Sequence, residues 1–393
     1  MAVGEVWLCS GQSNMEFSLS QTTTGAADIP LASDKDLRLY DMKAVYRTDN
    51  VEWPAAALDS INRLLHYRST TWQPSTEATA GAFSAVAYYF GRVLRDSLRV
   101  PVGLICNAVG GSTTESWIDR RTLEYRFLEI LREWRTNEIV MDWARGRADK
   151  NLGKDATKLQ RHPYEPTYLF EAGILPLDTF AIRGVLWYQG ESNAQNITTH
   201  ARLFTLLADS WRGYWRNAEL PIYFAQLSGI ANRPSWPSFR NSQRLLSQSI
   251  PCVGMAVTSD VGDATDVHPR NKRPVGERLA RLALHDTYNY NDVVPAGPLF
   301  SSAVFADGAA YVHFINSAGL TTSDGEAPRT FEIAELPGRY YPATASIQPD
   351  GIVRVSSPQV KSPRFVRYAW QAYTTANLIN SAGLPASTFK SEE

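Results

Sequence analysis

Short apolar runs alternate with stretches of helical periodicity through the first three quarters of the chain, and this alternation constrains the fold more than any other feature. Residues 5–10, 102–108, 182–189, 222–227 and 253–258 read as strands. Between them, Phe83, Val86, Ala87, Phe90, Leu94 and Leu98 recur at helical spacing, as do Leu203, Leu206, Leu207, Trp211 and Tyr214, and then Val275, Leu279, Leu282 and Ala283. Strand–helix alternation implies crossover connections, a mostly parallel sheet and helices on both of its faces, a three-layer α/β/α sandwich. A further stripe (Leu123, Phe127, Ile130, Leu131, Trp134) lies in a charged segment that reads as a peripheral helical insertion over 118–165. From about residue 297 the texture changes to short alternating runs punctuated by Asp-Gly at 307–308, 324–325 and 350–351. Asp-Gly between such runs signals hairpins, so 297–370 is expected to form a small antiparallel β domain, with 371–393 as its tail. The expected division is 1–296 and 297–393.

The 39 basic and 40 acidic residues leave a formal charge of −1. No global field recruits nucleic acid or an anionic membrane, and neither is expected as a partner. Cys9, Cys106 and Cys252 form no metal-spaced cluster, and each sits in an apolar run, which predicts buried free thiols. No apolar run reaches transmembrane length, and the first residues lack the basic and apolar regions of a secretory signal. The abrupt entry into a strand is what a chain trimmed of an upstream portion would show.

Four motifs stand at predicted strand ends, where an open parallel sheet lines its ligand crevice. In Gly11-Gln12-Ser13-Asn14-Met15, a serine on a tight strand-to-helix turn exposes its hydroxyl and sets its own N–H beside a helix N-terminus; an ordinary N-cap serine is the competing reading. In Asn107-Ala108-Val109-Gly110-Gly111-Ser112-Thr113 the paired glycines let backbone N–H groups approach a substrate, with a plain turn as the competing reading. Trp187-Tyr188-Gln189-Gly190-Glu191-Ser192-Asn193 concentrates side-chain amides. Asp260-Val261-Gly262-Asp263-Ala264-Thr265-Asp266-Val267-His268 supplies a histidine with an acid two residues before it, which suits a general base and its orienting carboxylate. The same acids and His268 are metal-ligand types, but no second cluster completes a ligand set, so neither a metal nor another cofactor is expected.

Taken together, the four blocks resemble the sialate O-acetylesterase family, carbohydrate esterases of the SGNH hydrolase type. The resemblance continues through Pro101-Val-Gly-Leu-Ile105, Gly254-Met-Ala-Val-Thr258, Pro269-Arg-Asn-Lys272 and Gly383-Leu-Pro-Ala-Ser387. It implies a flavodoxin-like α/β/α catalytic domain over 1–296, with the small C-terminal β domain appended. It also implies Ser13 as nucleophile, His268 as base, and an oxyanion hole of the Ser13 and Gly111 N–H groups with a side-chain amide. That amide is Gln189 or Asn193. The SGNH acid usually lies three residues before the histidine, where this chain has Thr265; Asp266, another acid or a backbone carbonyl remains to orient His268. The implied substrate is O-acetylated sialic acid or another O-acetylated glycan, such as acetylated xylan or xyloglucan, and the implied location is secreted or periplasmic. A contrasting expectation is a non-catalytic sugar-binding protein stacking glycans on Trp53, Trp72, Trp117 or Trp236.

Overall fold

The computed structural model describes residues 3–391. Its central sheet has seven strands: β1 (Glu5–Gly11), β2 (Asp34–Asp41), β3 (Gln73–Ser75), β4 (Val102–Cys106), β5 (Gly184–Tyr188), β6 (Ile222–Ala225) and β7 (Val253–Ala256), in the order β3-β2-β4-β1-β5-β6-β7. The five strands expected from the sequence are all present. Within that order, β4-β1-β5-β6-β7 follows the 2-1-3-4-5 pattern of flavodoxin-like sheets, whose ligand crevice opens where the strand order reverses, beside the first strand. The pairs β1–β4, β1–β5, β2–β4 and β5–β6 are parallel; β3 runs antiparallel to β2, which makes the sheet mixed. Neither β2 nor β3 is evident in the sequence. In β2 only Leu37 and Leu39 are buried between charged neighbours, and β3 is three residues long with a central proline.

Pleating explains the layers. Trp7 pairs with Gly184 and Ser10 with Trp187 in the β1–β5 register, so the two tryptophans point to opposite faces. Trp7 meets Phe90 of the helix Ala85–Leu98 edge-on at 5.0 Å. On the other face, Trp187 meets Trp211 of the helix Ile197–Tyr214 at 5.7 Å. At Gly91 the helix Ala85–Leu98 lies close against the sheet, where a Cβ would collide with Leu104 and Leu37.

The chain divides into two compact units, Met1–Phe224 with Ile250–Val253, and Ala225–Ser249 with Gly254–Glu393. The second holds the helices Trp236–Ser249 and Arg273–Leu282 and the antiparallel strands β8 (Leu299–Ala306), β9 (Ala309–Ile315), β10 (Thr321–Thr322), β11 (Phe331–Ala334), β12 (Tyr341–Pro342), β13 (Thr344–Ile347), β14 (Val353–Ser356), β15 (Phe365–Tyr368), β16 (Leu378–Ile379) and β17 (Phe389–Lys390). These form the sheets β13-β14-β9-β8, β12-β11-β15-β17 and β10-β16 over a core that includes Val312, Phe331, Val353, Tyr368 and Phe389. Asp307 and Gly308 both have positive φ, as a two-residue hairpin between β8 and β9 requires. Asp350-Gly351 closes the β13–β14 hairpin, whereas Asp324-Gly325 follows β10, which pairs with the distant β16. The side chain of Arg240 ties the helix Trp236–Ser249 to the segment that follows β15, donating to the carbonyls of Ala369, Gln371 and Ala372.

Two local expectations are corrected. Cys252 is exposed, because it sits at φ +54° in the turn before β7, although Cys9 and Cys106 are buried thiols. The stripe from Leu123 to Trp134 is not one helix: the helix Arg120–Arg126 ends at Phe127, and a separate 3-10 turn covers Leu128–Leu131.

Candidate active site

Ser13 follows β1 and opens the short helix Ser13–Glu16. Its N-cap residue is Gln12, without a side-chain cap bond, so the N-cap reading of Ser13 is overturned. The turn is tight because Gly11 has φ +130° and a Cβ there would run into the Tyr188 carbonyl, the same oxygen that accepts the Gln12 N–H at 2.9 Å. The Gln12 side chain then bridges β1 to the loop after β5, its Oε1 accepting the N–H groups of Gly190 and Ser192 at 3.4 and 3.3 Å. Asn14 makes a second bridge, donating to Glu191 Oε1 at 2.5 Å.

The loop after β4 brings its paired glycines to the same place. A Cβ on Gly110 would lie 3.7 Å from the Ser13 Cβ, and the Gly110 N–H donates to Glu16 Oε2 at 3.0 Å. Burial pushes the Glu16 carboxyl up, while Arg47, Lys43 and the Gly110 bond pull it back. Gly111 has φ +72°, and a Cβ there would strike the Tyr164 hydroxyl and the Trp143 ring. Its carbonyl accepts from Ser192 Oγ at 3.0 Å, and among the described residues its N–H donates to no protein acceptor. Tyr164 Oη donates to the Gly110 carbonyl at 2.8 Å and shares a hydrogen bond with Thr48 Oγ1 at 2.7 Å, which fixes the turn.

The two candidate amides stand differently. Gln189 is buried, and both of its N–H groups are engaged, with the Ser112 carbonyl at 3.2 Å and Asn193 Oδ1 at 2.6 Å. Asn193 Nδ2 donates to Glu115 Oε2 at 3.0 Å, which leaves its second N–H unassigned, while its Oδ1 accepts from Thr114 and Gln189. Glu115 is a fully buried carboxyl whose burial raises its pKa, opposed by hydrogen bonds that include the one from Asn193.

Asp266 and His268 belong to the second unit. Asp263 Oδ1 accepts the N–H groups of Thr265 and Asp266 at 2.8 and 3.0 Å, and Asp266 Oδ1 accepts that of His268 at 2.8 Å. Successive Asx-type bonds therefore curl the loop. They bring Asp266 Oδ1 to 3.6 Å from His268 Nδ1, beyond a hydrogen bond but close enough to act on its charge. Burial and then Lys272 lower the His268 pKa, with Asp266 acting in the opposite sense. Asp260 is engaged elsewhere, in a two-pronged ion pair with Arg278 at 2.6–2.7 Å. Among the described residues no group of three or more His, Cys, Asp or Glu side chains is arranged to hold a metal ion. No described helix is long and apolar enough to cross a membrane.

Sequence reasoning missed Glu16 and Glu115, which lie beside the first two motifs, and Thr48, Trp143 and Tyr164, which no spacing links to any of them. It also took 118–165 as peripheral, yet Trp143 and Tyr164 of that segment wall the Gly110-Gly111 turn. Three of the four tryptophans read as sugar platforms are packing residues. Trp53, Trp117 and Trp236 are buried, with Trp236 donating to the Ser228 carbonyl, while Trp72 is half-buried against Tyr40 and Phe180. His66, His162 and His200 are buried too.

The first unit is thus a doubly wound α/β structure with a polar, glycine-lined site where its strand order reverses. The family model described as "Carbohydrate esterase, sialic acid-specific acetylesterase" matches residues 170–285. Mouse and human sialate O-acetylesterases are each 27% identical over 75% of this chain, which spans 59% and 56% of their lengths, less than two thirds of each. A crystal structure of a carbohydrate acetylesterase from Xanthomonas citri is 33% identical, superimposes with a TM-score of 0.80, and matches over 99% of this chain and 81% of that one. The chain belongs to the sialate O-acetylesterase family of carbohydrate esterases.

Proposed function

We propose that this protein hydrolyses O-acetyl esters of carbohydrate, O-acetylated sialic acid foremost, through an acetyl-enzyme on Ser13. The observation that carries the reading is the N–H of half-buried Gly111, which donates to no acceptor among the described residues, beside a serine held on a glycine-dependent turn. Ser13 Oγ attacks the acetyl carbonyl carbon as its proton passes to a ring nitrogen of neutral His268. The tetrahedral oxyanion is held by the Ser13 and Gly111 N–H groups and by Asn193, which is preferred because both Gln189 N–H groups are already engaged. Collapse breaks the bond to the sugar oxygen, which takes the proton from His268. Water, deprotonated by the same imidazole, then attacks the acetyl-serine carbonyl and releases acetate. Asp266 is the carboxylate assigned to stabilise the imidazolium, on the strength of its 3.6 Å approach.

A second reading keeps these residues and changes the glycan to acetylated xylan or xyloglucan. It fits the relative matching 99% of the chain, whose description as a carbohydrate acetylesterase names no particular sugar. In either case we assign residues 1–296 as the catalytic domain, with 118–165 inserted in it, 297–393 as an appended β-rich domain, and a secreted or periplasmic location where acetylated glycans occur. Acetate release is to be measured side by side on O-acetylated sialic acid and acetylated xylan, with wild type and Ser13→Ala. Comparable turnover by Ser13→Ala refutes the nucleophile, and preference for xylan selects the second reading.

A further inference from the structure

The helix Asp142–Leu152 buries Ala144, Ala148, Asn151 and Leu152 and turns Trp143 outward, 46% exposed, at the edge of the Gly110-Gly111 turn. This indole is fixed in place although much of it faces water. The Arg147 guanidinium, one helical turn further on, lies 5.4 Å from the Trp143 ring centroid and donates to the Thr48 carbonyl. The Tyr164 ring lies 5.4 Å from it at an angle of 33°, with its hydroxyl anchored on the Gly110 carbonyl. Thr48, Arg147 and Tyr164 thus lock the orientation of the indole to the same turn that sits against Ser13. Through the contacts Ser13–Gly110 and Gly111–Trp143, the ring edge lies within about 13 Å of the Ser13 Cβ, given standard backbone dimensions. That is within reach of one sugar residue or its neighbour.

A rigid, flat apolar surface beside a polar site favours a ligand with an apolar face and polar edges. The C–H face of a pyranose is such a surface, with its hydroxyls left at the rim. We infer that Trp143 is the platform on which a pyranose ring of the acetylated glycan stacks, and that Arg147 and Tyr164 are positioning residues holding its plane. The inference rests on the esterase reading above and adds to it a binding residue for the glycan itself.

The test compares wild type, Trp143→Ala and Trp143→Phe on an acetylated oligosaccharide and on 4-nitrophenyl acetate, which carries no sugar. In Trp143→Ala the ratio of kcat/KM for the glycan ester to that for the small ester falls about tenfold, through KM, and Trp143→Phe restores most of it. An unchanged ratio overturns the inference, because a purely structural Trp143, touching Gly111, would depress both esters together. Binding separates this inference from the esterase reading. Oligosaccharide affinity, followed by indole fluorescence in a Ser13→Ala background, drops about tenfold when Trp143→Ala is added. Equal affinities sink the platform whether or not Ser13 proves to be the nucleophile.

Discussion

Replacing Gly111 with alanine perturbs the site at one methyl group, and its cost can be worked from the contacts around it. The residue has φ +72°, where an L side chain is disfavoured by about 1 kcal/mol. The new Cβ also collides with the Tyr164 hydroxyl, which is hydrogen-bonded to the Gly110 carbonyl and to Thr48 Oγ1, and displacing it forfeits up to two bonds of about 1 kcal/mol each. The expected destabilisation is about 3 kcal/mol if Tyr164 yields, and less if the turn shifts instead. Either response moves the Gly111 N–H away from the oxyanion it is proposed to hold, and removal of one such donor lowers kcat roughly 10²–10³-fold. Because that bond strengthens in the transition state, kcat and kcat/KM should fall together with KM little changed. Stopped-flow or steady-state hydrolysis of 4-nitrophenyl acetate, with urea unfolding in parallel, reads both quantities. Adding Tyr164→Phe removes one collision, so the double variant should lose less stability than the separate effects combined. Gly111→Ala with kcat within about threefold of wild type and stability within about 0.5 kcal/mol would refute the reasoning.

Two further outcomes follow from protonation. Burial and Lys272 depress the His268 pKa, so kcat/KM should rise with pH along a limb centred below the ordinary imidazole value of about 6.5 and level off above it. Asp266 acts to raise that pKa; Asp266→Asn should therefore move the limb to still lower pH and lower the plateau about tenfold or more, and a limb moving upward would exclude Asp266 as the partner. His66, buried between Tyr67 and Tyr168, has its pKa lowered to about 3 by burial. The unfolded chain binds the extra proton below about pH 6.5 and the folded chain does not, so stability falls with pH from there towards pH 3 by up to about 1.4 kcal/mol per unit. His66→Phe should remove about 2.3 kcal/mol of the loss between pH 6.5 and 4.5, and parallel stability–pH curves for the two proteins in urea titrations would count against it.

Much of this protein is legible in one dimension because its signals are local. Strand and helix periodicity determined the layered α/β class, since each pattern reports which face of an element must be buried. Asp-Gly at 307–308 foretold its hairpin because the positive φ values that the turn demands are a property of those two residues. The motif blocks marked Ser13, Gly111, Asp266 and His268 as candidates, since strand ends are where such residues carry chemistry. Tertiary structure alone decided the rest. Strand β2, with its charged alternation, is a strand only because β4 and β3 supply its partners. The preference for Asn193 over Gln189 turns on which amide protons are engaged by Ser112 and Glu115, residues more than 70 positions away. Trp143 and Tyr164 join the site only because the chain folds a remote segment against two glycines. Of the tryptophans offered as platforms under the sugar-binding alternative, Trp53, Trp117 and Trp236 are absorbed by the core and Trp72 is half-buried. Sequence periodicity records the demand for burial, but hydrogen-bond partners and exposed faces depend on what distant segments bring alongside.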